Sequence, residues 1–132
     1  MTGRAILRWI LAAFYLIAGV AHLASPATFM PVMPDWVPYP HEVILLTGMA
    51  ELFGAIGLMI PRFHWWAGIG LAAYAVCVFP ANIKHAWLDV AVAQDYATLW
   101  YHAPRMPLQP LLIWWALFCA GVIDCPWRKA KV

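Results

Sequence analysis

Glu51 is the residue of this chain whose type and position point most directly to chemistry. It lies near the middle of an apolar segment that runs from about residue 41 to residue 60. A charged side chain at the centre of a bilayer costs about 2.5 kcal/mol or more, and such residues commonly mark ligand or proton pathways. The residues that share its predicted helix face are Thr47, Gly48, Gly54, Ala55 and Leu58. Because small residues let another helix approach closely, Glu51 should face protein and not lipid.

Further polar side chains cluster in the same half of the predicted structure. His22 lies near the end of the first apolar segment, and Tyr15 shares its helix face. Other polar residues lie near the end of the third segment and the start of the fourth. We therefore expect an outward-opening, water-containing pocket with Glu51 as its deepest group. The candidate ligand-binding residues are Glu51, His22, Asn82, Arg105, Gln109, Tyr15 and His85.

Each of these residues also has a purely structural interpretation. Glu51 could pair with a neighbouring helix and fix its packing. Asn82 could bind backbone groups that are freed by a nearby proline. His22 and His85 could be solvated at the level of the lipid headgroups, and Arg105 could bind a lipid phosphate. The sequence leaves these alternatives open and assigns no catalytic residue.

Glu51 and His22 also form a candidate proton-transfer pair. Counted from the predicted helix ends, they lie about seven residues apart in depth, which is ~10 Å at 1.5 Å per residue. We expect that separation to prevent direct transfer without water.

No specific metal site is predicted from the sequence. The five histidines form no pair four residues apart, and no H-x-x-E-H signature is present. The pairs of helix histidines that hold a haem are missing as well. The sequence also has no glycine-rich phosphate loop and no nucleophile elbow, and nothing in it supports binding to nucleic acid.

The composition indicates that the helices carrying these residues lie in a membrane. The chain has 132 residues, of which 65% are hydrophobic and 11% charged, whereas soluble domains carry about 25% charged residues. A helix needs roughly 20 apolar residues to cross a bilayer. Four spanning helices are predicted, at about 5–24, 41–60, 65–83 and 108–123.

The connections between these segments differ in character. Residues 25–40 contain five prolines, which forbid a long helix and favour a structured loop on the membrane surface. Residues 84–107 form the one long polar connection, in which 86–101 is predicted to include an interfacial helix.

The lysines and arginines predict the orientation of the chain in the membrane. The six that fall at the end holding both termini are Arg4, Arg8, Arg62, Arg128, Lys129 and Lys131. Only Lys84 and Arg105 fall at the opposite end. Since positive charge is retained in the cytoplasm, we expect an all-α, four-transmembrane-helix bundle with cytoplasmic N- and C-termini. It would form a single domain over residues 1–132.

Five stretches, in this order along the chain, resemble the DoxX family, in its DoxX-like branch of small four-helix membrane proteins. They are GVAH at 19–22, Pro31 with MPDWVP at 33–38, GMAELFGA at 48–55, FPANI at 79–83 and RMPLQ at 105–109. The resemblance covers nearly the whole chain. It implies a four-helix transmembrane bundle with polar positions at His22, Glu51, Asn82, Arg105 and Gln109. The chain departs from the family at Leu23, where an aromatic residue is expected, and at His85, where relatives carry an apolar residue.

The resemblance implies a redox context and little specific chemistry. The family takes its name from a membrane subunit of a quinone-linked sulfur oxidoreductase, so a quinone or similar small lipophile is the expected ligand. The expected location is the bacterial inner membrane, as a multi-pass protein. The leading hypothesis is a non-catalytic accessory subunit that binds the lipophile.

Two other functions are kept as alternatives. One is a membrane enzyme that uses Glu51 and His22 for proton transfer, and the other is an assembly or chaperone factor for a membrane partner. The lipid bilayer is the predicted partner in every case, whereas a further redox subunit and a homo-oligomer are left open.

Overall fold

Four long helices and one short one make up most of the computed structural model, which describes residues 2–124. The helices are α1 (Gly3–Ala24), the short α2 (Pro26–Phe29), α3 (Pro40–Met59), α4 (His64–Trp87) and α5 (Leu99–Ala120). A 3-10 turn follows α2 at Met30–Val32, a π-helical turn extends α4 at Leu88–Val92, and a second 3-10 turn precedes α5 at Tyr96–Thr98. No strand occurs in residues 2–124. Cys125 and the predicted cytoplasmic residues Arg128, Lys129 and Lys131 lie outside this range.

Three helical stretches are long and apolar enough to cross a membrane. They are Gly3–Ala24, Pro40–Met59 and His64–Val92. The prediction of an all-helical chain is therefore confirmed for residues 2–124. Three of the four predicted spans coincide with helices of sufficient length and hydropathy, whereas the predicted fourth span at 108–123 is not among them. The observed bounds of α1 and α3 agree with the predicted 5–24 and 41–60 to within a few residues.

The start of α1 and the break after it follow from local sequence. The hydroxyl of Thr2 accepts a hydrogen bond from the backbone N–H of Ala5 and caps the helix. The helix ends at Ala24, and Pro26 then takes the first position of α2, where its missing N–H costs nothing.

The second half of the chain differs from the sequence prediction. α4 runs through Pro80 and on to Trp87, and no separate interfacial helix forms within residues 86–101. α5 begins at Leu99 and not near residue 108, although it contains Pro104, Pro107 and Pro110. The polar residues of 84–107 predicted a connection between spans. The helix forms instead because its polar side chains find partners on α4, which compensates for the backbone bonds that proline removes.

The long helices pack in sequence, α1 on α3, α3 on α4, α4 on α5 and α5 on α1. The contact between α1 and α3 depends on two glycines. A Cβ placed on Gly19 would lie 2.8 Å from the carbonyl oxygen of Gly48, and one placed on Gly48 would lie 2.9 Å from the Cβ of His22. The two backbones can therefore approach only because neither residue has a side chain.

Polar contacts join the beginning of α1 to the end of α5 and the residues that follow it. Arg4 bonds the carboxylate of Asp124 at 2.7 Å, and the Nε of Arg8 donates to the carbonyl oxygen of Cys119 at 3.0 Å. The indole N–H of Trp115 donates to the carbonyl oxygen of Leu7. This end of the molecule is closed by direct contacts, and the cavity described next lies toward the opposite end.

Candidate functional site

A cavity of about 210 Å³ lies between the four long helices. Its walls are mostly apolar, with side chains such as Phe14, Phe29, Leu108 and Leu112. The structure brings six of the seven predicted ligand-binding residues to this cavity. They are Tyr15, His22, Glu51, Asn82, Arg105 and Gln109. The seventh, His85, does not line the cavity but contacts Arg105, which does.

Glu51 is buried in the protein, with 4% of its surface exposed. Its Oε2 lies 2.8 Å from Nδ1 of His22, and its Oε1 accepts a hydrogen bond from the hydroxyl of Tyr74, also at 2.8 Å. Both carboxylate oxygens are thus paired, as a buried carboxylate requires. The prediction that Glu51 faces protein is confirmed.

His22 lies between two acceptors and an aromatic ring. Its Nδ1 is 3.0 Å from the carbonyl oxygen of Ala18 and 2.8 Å from Glu51. A carbonyl oxygen only accepts, so a proton on Nδ1 satisfies both contacts. The imidazole stacks on Phe29 of α2 with ring centroids 4.0 Å apart, which fixes the ring plane at the cavity wall.

The expected ~10 Å separation of His22 and Glu51 is wrong. The depth count assumed that the end of α1 is level with the beginning of α3. In the structure His22 packs beside Gly48, so the first two turns of α3 extend past the end of α1. The short α2 packs against α3 in the space that this offset leaves. The histidine is therefore one helical turn from Glu51 and bonds it directly.

Tyr74 is a member of the site that the sequence analysis missed. It lies on α4, within the span predicted at 65–83. The available signal was a tyrosine inside an apolar segment, because a buried phenol hydroxyl needs a hydrogen-bond partner.

Tyr15 has a buried hydroxyl without a partner. The residue is 2% exposed, it lines the cavity, and its oxygen has no hydrogen bond within residues 2–124. Its ring packs edge-on against Tyr74 with centroids 6.2 Å apart, so the ring is held in position. A buried unpaired hydroxyl costs about 1–3 kcal/mol. A polar atom of a molecule in the cavity would remove that cost.

Arg105 brings a positive charge to the cavity wall. Its Nη2 donates to Oδ1 of Asn82 at 2.6 Å, and its Nη1 donates to Nδ1 of His85 at 2.7 Å. The guanidinium also lies over the ring of Tyr101, 5.2 Å from the centroid. Within residues 2–124 no carboxylate forms a salt bridge with it, whereas Arg4 and Lys84 each have one. Its direct partners are therefore the amide of Asn82, the imidazole of His85 and the aromatic ring of Tyr101.

Two further contacts hold the walls of the cavity together. The amide Nε2 of Gln109, a buried residue, donates to the carbonyl oxygen of Ala75 at 3.2 Å and ties α5 to α4. Lys84 binds the carboxylate of Asp35 at 2.7 Å and the carbonyl oxygen of Met33, which lines the cavity. The connection between α1 and α3 is thereby fastened to α4 beside the cavity.

Comparison with known proteins places the chain in one family. A family model described as a domain of unknown function (DUF8561) matches residues 11–120. The chain belongs to this family. The matched region contains every residue that lines the cavity. No curated protein and no solved structure matches the chain.

The DUF8561 region also holds a second polar cluster, behind Arg105. His85 of α4 and Asp89 of the π-helical turn that extends it lie four residues apart, and His102 of α5 faces them. The three residues offer nitrogen and oxygen atoms that all lie within 4.8 Å of one another, which is the arrangement of a candidate metal site. The sequence predicted no specific metal site. The available signal was the pair of a histidine and a carboxylate four residues apart, His85 and Asp89.

Proposed function

We propose that this chain is a four-helix transmembrane bundle with cytoplasmic ends, and that its cavity binds a small lipophile such as a quinone. In this proposal the protein is an accessory subunit of a membrane redox system. The observation that carries the proposal is the unpartnered hydroxyl of Tyr15, buried in a mostly apolar cavity that Arg105 also lines.

The size and chemistry of the cavity favour one ring-sized head group. Its volume of about 210 Å³ is below the ~300–1,000 Å³ of sites for drug-sized ligands, so a long lipid tail would have to remain outside. A quinone ring presents two carbonyl acceptors on opposite edges and apolar faces. Tyr15 and Arg105 supply hydrogen-bond donors, and the aromatic and aliphatic wall residues match the ring faces.

Two features support the proposed membrane arrangement. α5 is 22 residues long, which is sufficient length to cross a bilayer, and its residues 110–120 are apolar. In the predicted topology most lysines and arginines fall at the end that holds both chain termini, which favours a cytoplasmic location for that end. The resemblance to the DoxX family is a further argument for a quinone-linked role.

The direct test is mass spectrometry of the protein purified in mild detergent. We expect a stoichiometric lipophile in the wild-type protein and in Glu42→Leu, and its loss in Glu51→Leu. Glu42 is the matched control because it is an exposed carboxylate on the same helix. A protein without any bound lipophile, and without affinity for an added short-chain quinone, would contradict the proposal.

A second candidate function, proton transfer to a membrane-dissolved substrate, is favoured by one observation. His22, Glu51 and Tyr74 form a continuous hydrogen-bonded set, with both links at 2.8 Å, so a proton could move between them without water. Infrared difference spectra recorded on adding a short-chain quinol should then show a carboxyl change that Glu51→Gln abolishes. Identical spectra for both proteins would leave Glu51 with a binding role only.

A further inference from the structure

His85, Asp89 and His102 form a cluster outside the cavity that combines two imidazoles with one carboxylate. Oδ2 of Asp89 lies 2.9 Å from Nε2 of His102 and 3.3 Å from Nε2 of His85. All three potential ligand atoms lie within 4.8 Å of one another. The residues come from two different helical elements, α5 and the end of α4 with its π-helical turn, so the folded protein brings the three groups together.

The separations between these atoms suit a small divalent cation. Two ligands bound at ~2.0–2.1 Å to a tetrahedral ion lie about 3.3 Å apart. The distance between His85 and Asp89 already has this value, and a small change of side-chain torsion would bring His102 to the same spacing. His102 is 3% exposed, while His85 and Asp89 are half-buried, so an ion could enter from the side of the carboxylate.

The chemistry of the ligand set indicates the class of metal. Two imidazole nitrogens with one carboxylate oxygen suit Zn²⁺ and neighbouring first-row ions, whereas Mg²⁺ and Ca²⁺ prefer oxygen ligands alone. Three protein ligands would leave the fourth tetrahedral position open to water or another ligand. We propose that His85, Asp89 and His102 bind a divalent transition-metal ion of the Zn²⁺ type.

The proposed site is coupled to the cavity through Arg105. A guanidinium can only donate hydrogen bonds, so its contact with Nδ1 of His85 requires that nitrogen to be unprotonated. A neutral imidazole that binds metal through Nε2 carries its proton on Nδ1. Metal binding to His85 therefore displaces Nη1 of Arg105 from the imidazole, while Nη2 can keep its bond to Asn82 at the cavity wall.

Titration calorimetry of the full-length, metal-stripped protein in detergent with ZnCl₂ tests the site. We expect one Zn²⁺ per chain, with affinity weakened by about 100-fold or lost in Asp89→Asn and His102→Ala, because changing even an outer partner of a ligand costs 10–100-fold. His41→Ala is the matched control, since His41 is exposed and lies outside the cluster. Absence of binding to the wild-type protein, or binding that survives both cluster variants, would overturn the proposal.

Two further measurements keep the test independent of folding defects in the variants. Co²⁺ bound to the wild-type protein should give the visible absorption of a four-coordinate site, and a spectrum identical to Co²⁺ in buffer would count against the site. Arg105→Leu removes a repelling charge and a competing donor, so it should tighten Zn²⁺ binding by about tenfold. An unchanged affinity would refute the coupling to Arg105.

Discussion

Nδ1 of His22 lies 2.8 Å from Oε2 of Glu51. This contact crosses from α1 to α3, beside the close approach of the two helices at Gly19 and Gly48. His22 and Glu51 are 29 positions apart in sequence. Their contact exists because two glycines allow the helix backbones to approach and because α3 extends past the end of α1. The same contact places a buried carboxylate at the wall of the cavity, where Tyr74 completes its hydrogen bonding.

Replacing Glu51 should destabilise the protein in proportion to the hydrogen bonds that are lost. Glu51→Leu leaves the hydroxyl of Tyr74 without its acceptor, which costs ~1–3 kcal/mol, and leaves Nδ1 of His22 with the carbonyl oxygen of Ala18 alone. Glu51→Gln keeps one acceptor oxygen and should cost less. Thermal unfolding in detergent, followed by circular dichroism, measures both changes. Glu42→Leu should change the free energy of unfolding by less than about 0.5 kcal/mol, and equal effects of Glu51→Leu and Glu42→Leu would contradict the assigned role.

The close packing of α1 on α3 should depend on Gly19, whereas a glycine outside this contact should have no such role. Gly19→Ala would place a Cβ 2.8 Å from the carbonyl oxygen of Gly48, so the helices must separate, at a cost of about 1–3 kcal/mol. Gly70→Ala is the control, because no atom lies within 4 Å of its added Cβ. It should be neutral or stabilising by up to ~1 kcal/mol, since alanine favours a helix. Unfolding curves that rank the two variants in the opposite order would refute the packing argument.

The unpaired hydroxyl of Tyr15 should matter for ligand binding and not for folding. Tyr15→Phe removes an oxygen that has no hydrogen-bond partner within residues 2–124, so the free energy of unfolding should stay constant or rise by up to ~1 kcal/mol. Affinity for a short-chain quinone, measured by quenching of tryptophan fluorescence, should fall about fivefold. Tyr96→Phe, at an exposed position, should change neither quantity. A Tyr15→Phe protein with lower stability and unchanged affinity would indicate a structural role only.

The proposed orientation predicts which connections are accessible from outside the cell. In a variant whose native cysteines have been replaced, a cysteine at Gln94 should react in intact cells with a membrane-impermeant thiol reagent. A cysteine at Arg62 should react only after the membrane is opened. Both positions are exposed in the structure, so burial does not explain a difference between them. Labelling in the reverse pattern would place the chain termini outside.

The part of the chain before residue 80 follows its sequence closely. α1 and α3 have bounds near those predicted because an apolar run of spanning length, with proline at its borders, leaves few other structures. The inward orientation of Glu51 could also be predicted, since the small residues around it share one helix face. The part after residue 80 follows its sequence less well. The polar residues of 84–107 predict a connecting segment, and only partners on α4 explain why α5 already begins at Leu99.

By itself, the sequence determined an all-helical chain with apolar spans of membrane length and with most of its polar groups near one end. Those properties depend on composition and on the helical repeat, which are local and can be read along the chain. Only the tertiary structure decided that His22 bonds Glu51, that Tyr74 completes the set and that His85, Asp89 and His102 meet. These contacts depend on how far each helix is shifted along its neighbour. That shift is set by side-chain packing between residues distant in sequence, such as Gly19 and Gly48, and not by the spacing within either helix.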